Sequence, residues 1–160
     1  MNIRLMVKAA MLAAITAIAT MVIQIPAPLA GYVNCGDAFV LLSGFALGPV
    51  YGGLAAGIGS AIADIITYPV YAPATFIIKF AMAAVCGIIY KKKATAMSAL
   101  VSSVIAELIM IIGYLVYGMI IFGETLTAAI ATVPGNSVQA VVGIVLGLIL
   151  LKLVGKILSK

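Results

Sequence analysis

Apolar runs of about 20 residues recur along this chain, and only short polar breaks separate them. An α-helix needs a run of roughly 20 residues to cross the hydrocarbon core of a bilayer. Hydrophobic residues make up 66% of the chain and charged residues only 8%, whereas a soluble domain has about 25% charged residues. Such a chain cannot cover a water-facing surface. The sequence therefore predicts an all-α integral membrane protein.

Prolines, glycines and lysines divide the 160 residues into six predicted transmembrane helices. The breaks leave no room for a soluble domain, so residues 1–160 are expected to form a single membrane domain. The N-terminal apolar run is longer than that of a usual signal peptide, and we interpret it as a retained first helix. The predicted spans cover residues 5–25, 37 to the tight turn at 48–53, 52–67, 73–90, 94–122 and 134–154.

Cationic residues cluster at three places, which six spans would bring to the same side of the membrane. The positive-inside rule assigns this side to the cytoplasm, so we predict that both the N and C termini are cytoplasmic. The loops at 26–36, 68–73 and 123–133 then face outward. The net charge of +5 is a topology signal and gives no indication of nucleic-acid binding. The clusters contain every cation except Lys79: Arg4, Lys8, Lys91, Lys92, Lys93, Lys152, Lys156 and Lys160.

Residue types that catalysis would need are missing from the sequence. It contains no histidine, which removes the commonest general base and the commonest metal ligand. Cys35 and Cys86 are far apart, so we expect neither a disulfide nor a metal site. No phosphate-binding loop of the G-x-x-x-x-G-K-[ST] type occurs. We therefore expect no enzyme activity, no ATPase in this chain and no cofactor.

Three ionisable residues lie inside predicted spans, where charged side chains are costly and are candidates for function. Lys79 and Asp64 lie near the outer ends of the fourth and third spans. Lys79 could instead extend its ammonium group to the interface, and Asp64 could be a helix-end carboxylate paired with Lys79. Glu107 lies in the middle of the fifth span, on the same face as Tyr114. At that depth Glu107 needs a partner, a proton or a wet cavity.

Neutral polar and aromatic residues collect at the predicted outer face. Asn136 and Gln139 share a face at the start of the sixth span. Their amides suit the binding of a polar heterocycle, although they could also join two helices. Tyr68 and Tyr71 could anchor the chain at the membrane interface, or they could stack on a planar ligand.

Two stripes of small residues predict close contacts between helices, because small side chains let helix backbones approach in lipid. The stripe on the third span ends at Asp64. The partner of the stripe on the first span could be internal or another subunit. The first span carries Ala9, Ala13 and Ala17, and the third carries Gly53, Gly57 and Ser60.

Several stretches together resemble the substrate-binding S components of energy-coupling factor (ECF) vitamin transporters. They are "AAMLAAITA" at 9–17, the long block "VNCGDAFVLLSGFALGPVYGGLAAGIGSAIADIITYPVYAPATFIIKFAMAAVCG" at 33–87, and "VPGNSVQAVVGIVLGLIL" at 133–150. The resemblance implies six helices with both termini inside and a vitamin pocket at the outer face. It also implies a location in the bacterial plasma membrane.

The resemblance further implies three protein partners for the chain. They are a transmembrane T component and two cytoplasmic ATPase subunits. The T component is expected to contact the alanine ridge formed by Ala9, Ala13 and Ala17. We expect the substrate to contact Asn34, Asp37, Asp64, Tyr68, Tyr71, Lys79, Glu107, Tyr114, Asn136 and Gln139.

The choice of vitamin rests on a resemblance to the riboflavin, pyridoxine and hydroxymethylpyrimidine branch. The absence of tryptophan argues against a thiamine pocket lined with indoles, and short loops favour a small ring. We expect pyridoxine or hydroxymethylpyrimidine, followed by riboflavin and then pantothenate. The charged candidates could match the hydroxyl groups and ring nitrogen of a small ring, and the two amides could fix its orientation.

Two other functions remain compatible with the residues. The chain could be a self-sufficient secondary transporter, with Asp64, Lys79 and Glu107 as a proton relay, although it is short and has no obvious inverted repeat. It could also be a purely structural membrane subunit, which would leave the outer polar cluster unexplained.

Overall fold

The computed structural model of the chain describes residues 3–26 and 32–158, with side chains for 3–25 and 33–154. Residues 27–31 of the predicted outer loop and Lys160 lie outside the described residues, and Lys156 lies outside those with described side chains. The elements are α1 (Ile3–Val22), β1 (Gln24–Pro26), β2 (Tyr32–Asn34), α2 (Gly36–Leu47), α3 (Pro49–Thr67), a 3₁₀ turn (Pro69–Tyr71), α4 (Ala72–Lys92), α5 (Ala96–Ile121), α6 (Leu126–Ile130) and α7 (Val133–Leu158).

Helices form nearly the whole fold, so the predicted all-α membrane class is confirmed. Within the described residues, five helical stretches are long and apolar enough to cross a membrane. They begin at Ile3, Pro49, Pro69, Ala96 and Leu126. The predicted first, third, fourth, fifth and sixth spans correspond to these stretches.

The second predicted span is shorter than a full membrane crossing. Helix α2 has 12 residues and is therefore about 18 Å long, whereas the hydrocarbon core is about 30 Å thick. Asp37 in its first turn contacts Lys79, which lies seven residues into α4. Helix α2 therefore begins beside the N-terminal half of α4.

A short antiparallel hairpin connects α1 to the buried start of α2. Strand β1 pairs with β2 in the register Gln24 to Asn34, Ile25 to Val33 and Pro26 to Tyr32. The sequence predicted that the first span runs to residue 25 and that a loop covers 26–36, whereas the helix ends at Val22 and two short strands follow it. Pairing satisfies backbone N–H and C=O groups of both strands next to the buried start of α2.

Helices α2 and α3 meet at a one-residue turn. Gly48 has a φ angle of +80°, in the left-handed region that favours glycine, and Pro49 begins α3. The Gly48 N–H donates to the Gly44 carbonyl at 2.9 Å and caps α2. Helix α4 passes close to this turn, since a Cβ at Gly87 would overlap the backbone of Gly48 and Pro49.

The small-residue stripe of α3 packs against α4, as the sequence predicts. A Cβ at Gly53 would lie 2.9 Å from the ring of Phe80, and one at Gly57 would lie 2.9 Å from the Phe76 carbonyl. Ser60 and Asp64 continue the same stripe and are buried.

The alanine ridge of α1 faces the interior of the chain. Ala9 and Ala13 pack against a buried cluster built from α1, α2 and α3, and Ala17 is buried. The Ala13 carbonyl lies so close to Gly59 of α3 that a Cβ there would overlap it. The small residues of α1 that are exposed are Ala10 and Ala14.

Candidate functional site

A buried ion pair joins α4 to α2. The Lys79 ammonium donates to Asp37 Oδ1, and the two residues are 3% and 0% exposed. Asp37 lies in the first turn of α2, where the helix dipole favours a negative charge. The Lys79 Nζ atom also lies 5.6 Å from the centre of the Tyr114 ring, which suits a cation–π contact. The sequence had suggested Asp64 as a partner for Lys79, whereas the structure pairs it with Asp37.

A chain of hydrogen bonds continues from this ion pair to the hairpin through Gln139 of α7. Gln139 Nε2 donates to Asp37 Oδ2 at 2.6 Å. Gln139 Oε1 accepts from the backbone N–H of Asn34 at 3.0 Å and from its Nδ2 at 3.2 Å. Asn34 Oδ1 accepts from the Gly36 N–H at 2.8 Å and so holds the first residue of α2. Gln139 thus links the second strand of the hairpin to Asp37.

A second hydrogen-bonded group lies beside the first and connects α3, α4 and α5. Thr75 Oγ1 donates to Asp64 Oδ2 at 2.5 Å, and 2.9 Å separates Thr75 Oγ1 from the Tyr114 hydroxyl. Because the Thr75 proton goes to Asp64, the Tyr114 hydroxyl donates to Thr75. Thr75 was not among the site residues predicted from the sequence. Its position four residues before Lys79, on the same face of α4, is the signal that could have found it.

Glu107 of α5 lies against both α7 and α2. Its side chain is 2% exposed, and neither carboxyl oxygen has a hydrogen-bond partner among the described residues. A Cβ at Gly143 would lie 2.8 Å from Glu107 Oε1 and 2.9 Å from Asp37 Cβ. The glycine in α7 therefore makes the space in which the Glu107 carboxyl lies next to Asp37.

Aromatic rings cover the N-terminal end of α4 and the C-terminal end of α5. The Tyr71 ring centre lies 6.4 Å from that of Tyr114, 5.7 Å from that of Tyr117 and 5.4 Å from that of Phe122. The Tyr117 hydroxyl donates to the Val70 carbonyl at 2.5 Å. Sequence analysis named neither Tyr117 nor Phe122, although Tyr117 follows Tyr114 by three residues on α5.

The predicted site residues divide into two groups in the structure. Tyr71 borders the buried cluster through Tyr114, whereas Tyr68 is 44% exposed. Asn136 is only partly buried at the first turn of α7, and of the two amides in this helix it is Gln139 that bonds Asp37. The residues brought together in the buried cluster are Asn34, Asp37, Asp64, Lys79, Glu107 and Gln139, and the half-buried Tyr114 borders them.

Known proteins resemble the chain over nearly its whole length. The family described as "ECF-type riboflavin transporter, S component" matches residues 1–156. An uncharacterised protein of Pyrococcus woesei is 36% identical over 147 residues, which cover 89% of this chain and 98% of that protein. A solved structure described as the S component of a bacterial ECF transporter superposes with a TM-score of 0.79 at 21% identity, and the match covers 98% of both chains.

The family match and the shared fold agree with the multi-pass architecture of the structure. S components are the substrate-specificity subunits of vitamin-uptake transporters and are not themselves catalytic. ECF S components in general work with a T component and ATPase modules. The chain belongs to the family of S components of ECF-type riboflavin transporters.

Proposed function

We propose that this chain binds riboflavin with high affinity at its outer face and delivers it to an ECF energising module. The description of the matched family supports riboflavin as the vitamin. The observation that carries the proposal is the buried cluster of charges and amides below the hairpin. The proposed contacts are those predicted from the sequence: Asn34, Asp37, Asp64, Tyr68, Tyr71, Lys79, Glu107, Tyr114, Asn136 and Gln139.

The polar cluster is difficult to explain as a device for stability alone. Replacing a buried ion pair by apolar side chains of similar volume is often neutral or stabilising. Lys79 and Asp37 are almost fully buried, and so is the carboxyl of Glu107 beside them. Ionisable residues within a membrane domain mark binding sites or transport pathways by default. A polar vitamin with several hydrogen-bonding groups is a ligand that suits this set of side chains.

The hairpin lies directly against the cluster through Asn34. Strand β2 connects directly to the buried start of α2, and its contact with α7 includes the two bonds that Asn34 donates to Gln139. Opening of these bonds would expose Gln139 and Asp37 to an incoming ligand. The aromatic rings of Tyr71 and Tyr114 lie on the other side of the cluster and could stack on a planar ring.

Pyridoxine or hydroxymethylpyrimidine is the second candidate substrate. The pairing of Lys79 with Asp37, next to a second carboxyl on Glu107, favours it. One cation and two acids close together could match the hydroxyl groups and ring nitrogen of a small heterocycle. A neutral flavin makes less use of this charge.

The test is a direct binding measurement on the purified chain in detergent. Small molecules released on denaturation are identified by mass spectrometry, and riboflavin, pyridoxine and hydroxymethylpyrimidine are titrated into ligand-free protein. We expect riboflavin to bind and the Lys79→Met variant to lose binding, whereas Lys92→Met, at the exposed end of α4, serves as the matched control. Tight binding of pyridoxine or hydroxymethylpyrimidine without riboflavin would favour the second candidate.

The proposal includes a T component, two cytoplasmic ATPase subunits and a bacterial plasma membrane with both termini inside. Uptake into vesicles should therefore need ATP and these subunits. Uptake by this chain alone, driven by a proton gradient, would instead favour the secondary-transporter function.

The face of α1 proposed for the T component needs revision, because Ala13 and Ala17 pack on α3 or in the interior. The exposed Ala10 and Ala14 offer a small-residue surface to a partner helix.

A further inference from the structure

The Glu107 carboxyl is the least satisfied polar group of the candidate site. The other buried acids each have partners, since Asp37 bonds Lys79 and Gln139, and Asp64 bonds Thr75. Both oxygens of Glu107 are buried, and among the described residues neither has a hydrogen bond. Buried polar groups in proteins are nearly always bonded, so an orphaned carboxyl needs an explanation.

The surroundings of Glu107 place this orphaned group at the centre of the site. Its Oε1 atom lies over Gly143 of α7, beside the Cβ atom of Asp37 in α2. Helix α4 presents the Lys79 ammonium group to the same Asp37. Residues of α2, α4 and α7 thus lie around one carboxyl of α5 that has no hydrogen-bond partner among the described residues. A larger residue than glycine at 143 would occupy the space that this carboxyl uses.

We propose that Glu107 recognises the substrate by a two-point hydrogen bond to one edge of its ring. This inference rests on the proposed function and specifies which hydrogen-bonding edge of the substrate's ring the site recognises. A carboxylic acid presents an O–H donor and a carbonyl acceptor side by side, and a carboxylate presents two acceptors. The carboxylic acid form therefore matches a heterocycle edge on which an N–H donor lies next to an acceptor atom, whereas a carboxylate would place its second oxygen against that acceptor.

This requirement separates the candidate vitamins by their chemistry. The imide edge of riboflavin has an N–H between two carbonyl groups. The edge of hydroxymethylpyrimidine has an amino group next to a ring nitrogen. Pyridoxine has an isolated ring nitrogen flanked by carbon atoms and offers no such pair. The inference therefore favours riboflavin or hydroxymethylpyrimidine over pyridoxine.

The experiment compares Glu107→Gln, Glu107→Met and the wild-type chain, with riboflavin, N3-methylriboflavin and hydroxymethylpyrimidine as probes. Glutamine keeps a donor and an acceptor side by side, whereas methionine has a similar size and neither group. The control is Leu108→Met, because Leu108 neighbours Glu107 but is 51% exposed on α5. N3-methylation removes the donor from the imide edge and needs no change in the protein.

We expect Glu107→Met to weaken riboflavin binding about a hundredfold and Glu107→Gln to stay within about tenfold of the wild type, because unpaired polar atoms on a buried ligand are costly. N3-methylation should weaken binding to the wild type but cause little further loss in Glu107→Met, since the contact is already gone. Equal riboflavin affinity for the wild type and Glu107→Met would overturn the inference and leave the proposed function intact.

Failure of the proposed substrate gives a different pattern. If riboflavin does not bind the wild type, the riboflavin proposal fails. The Glu107 inference is then tested by titrating hydroxymethylpyrimidine into the wild type, Glu107→Gln and Glu107→Met. Loss of that probe in Glu107→Met but not in Glu107→Gln supports the two-point bond. Unchanged hydroxymethylpyrimidine binding in Glu107→Met overturns the inference. It is also overturned if neither riboflavin nor hydroxymethylpyrimidine binds the wild type.

Discussion

At the scale of single residues, the pairing of Lys79 with Asp37 joins α4 to α2 inside the bundle. The two residues are 42 positions apart and belong to different helices. Gln139 adds a third helix through its bond to the same carboxylate. Each charge has a partner only while these helices stay in register, so the pair depends on the arrangement of the fold.

Breaking the pair should destabilise the protein more than removing both of its members. We expect Lys79→Met to lower the free energy of unfolding by about 3–5 kcal/mol, because Asp37 is left buried without its cation. The double variant Lys79→Met with Asp37→Leu should recover much of that loss but still not bind ligand. Unfolding in detergent, followed by circular dichroism, measures the first effect, and ligand titration measures the second. A single variant as stable as the wild type would contradict the burial of this pair.

Glu107 leads to the opposite expectation for stability. An unsatisfied buried polar group costs about 1–3 kcal/mol, so Glu107→Met should raise the melting temperature of the ligand-free chain. The Glu107→Gln variant keeps a polar group in the same place and should change it less. Thermal unfolding of the three ligand-free proteins gives the comparison. A lower melting temperature for Glu107→Met would mean that the carboxyl stabilises the fold.

At the scale of secondary-structure elements, the shortness of α2 shapes the site. A full-length second helix would carry its polar first turn to the membrane surface. The 12-residue helix instead begins below the hairpin, so Asp37 reaches the depth of Lys79 and Glu107. The hairpin connects the end of α1 to the start of α2, and its two strands satisfy each other's backbone N–H and C=O groups.

The close packing of α1 on α3 can be tested by one substitution in the contact and one on the exposed face of α1. Gly59→Ala should destabilise the chain by about 1–3 kcal/mol, because the added Cβ would overlap the Ala13 carbonyl and the Thr16 side chain. Ala14→Leu, on the exposed face of α1, should leave the unfolding of the isolated chain unchanged. Denaturant unfolding in detergent gives both values, and equal stability of Gly59→Ala and the wild type would contradict this contact.

The same pair of variants separates folding from partner binding. In the proposed transporter complex, Ala14→Leu should reduce co-purification with the T component, because a larger side chain keeps a second helix at a distance. Unchanged assembly by Ala14→Leu would argue against this face as the docking surface.

At the scale of the whole molecule, the alternation of helices separates two chemically different ends. Lys91 and its neighbouring lysines lie at one end, near the turn between α2 and α3, where Lys91 donates to the Leu47 carbonyl at 3.4 Å. Tyr68 and the hairpin lie at the other end, above the polar cluster. This arrangement agrees with a site that opens away from the lysine-rich side.

The orientation can be measured with single cysteines in a background without Cys35 and Cys86. We expect Tyr68→Cys to react with a membrane-impermeant maleimide in intact cells, because the lysine-rich end should stay in the cytoplasm. Lys92→Cys should react only after the membrane is permeabilised. Both positions are exposed in the structure, so access to the reagent depends on the side of the membrane. The reverse pattern would place the candidate site in the cytoplasm.

The sequence by itself determined the membrane class, the breaks between helices and the inventory of polar groups. Lipid offers no hydrogen bonds to the backbone, so long apolar runs must become helices, and each buried charge stands out against them. For this reason Asp37, Lys79, Glu107 and Gln139 can all be recognised as candidates from the amino-acid sequence alone.

Only the tertiary structure decided which groups meet. It paired Lys79 with Asp37 and placed Thr75 between Asp64 and Tyr114. It also turned the Ala9, Ala13 and Ala17 ridge inward, shortened the second helix and left Glu107 without a hydrogen-bond partner among the described residues. These outcomes depend on distances between helices that are remote in sequence. Helical periodicity shows which residues share a face, but packing alone determines which faces come into contact.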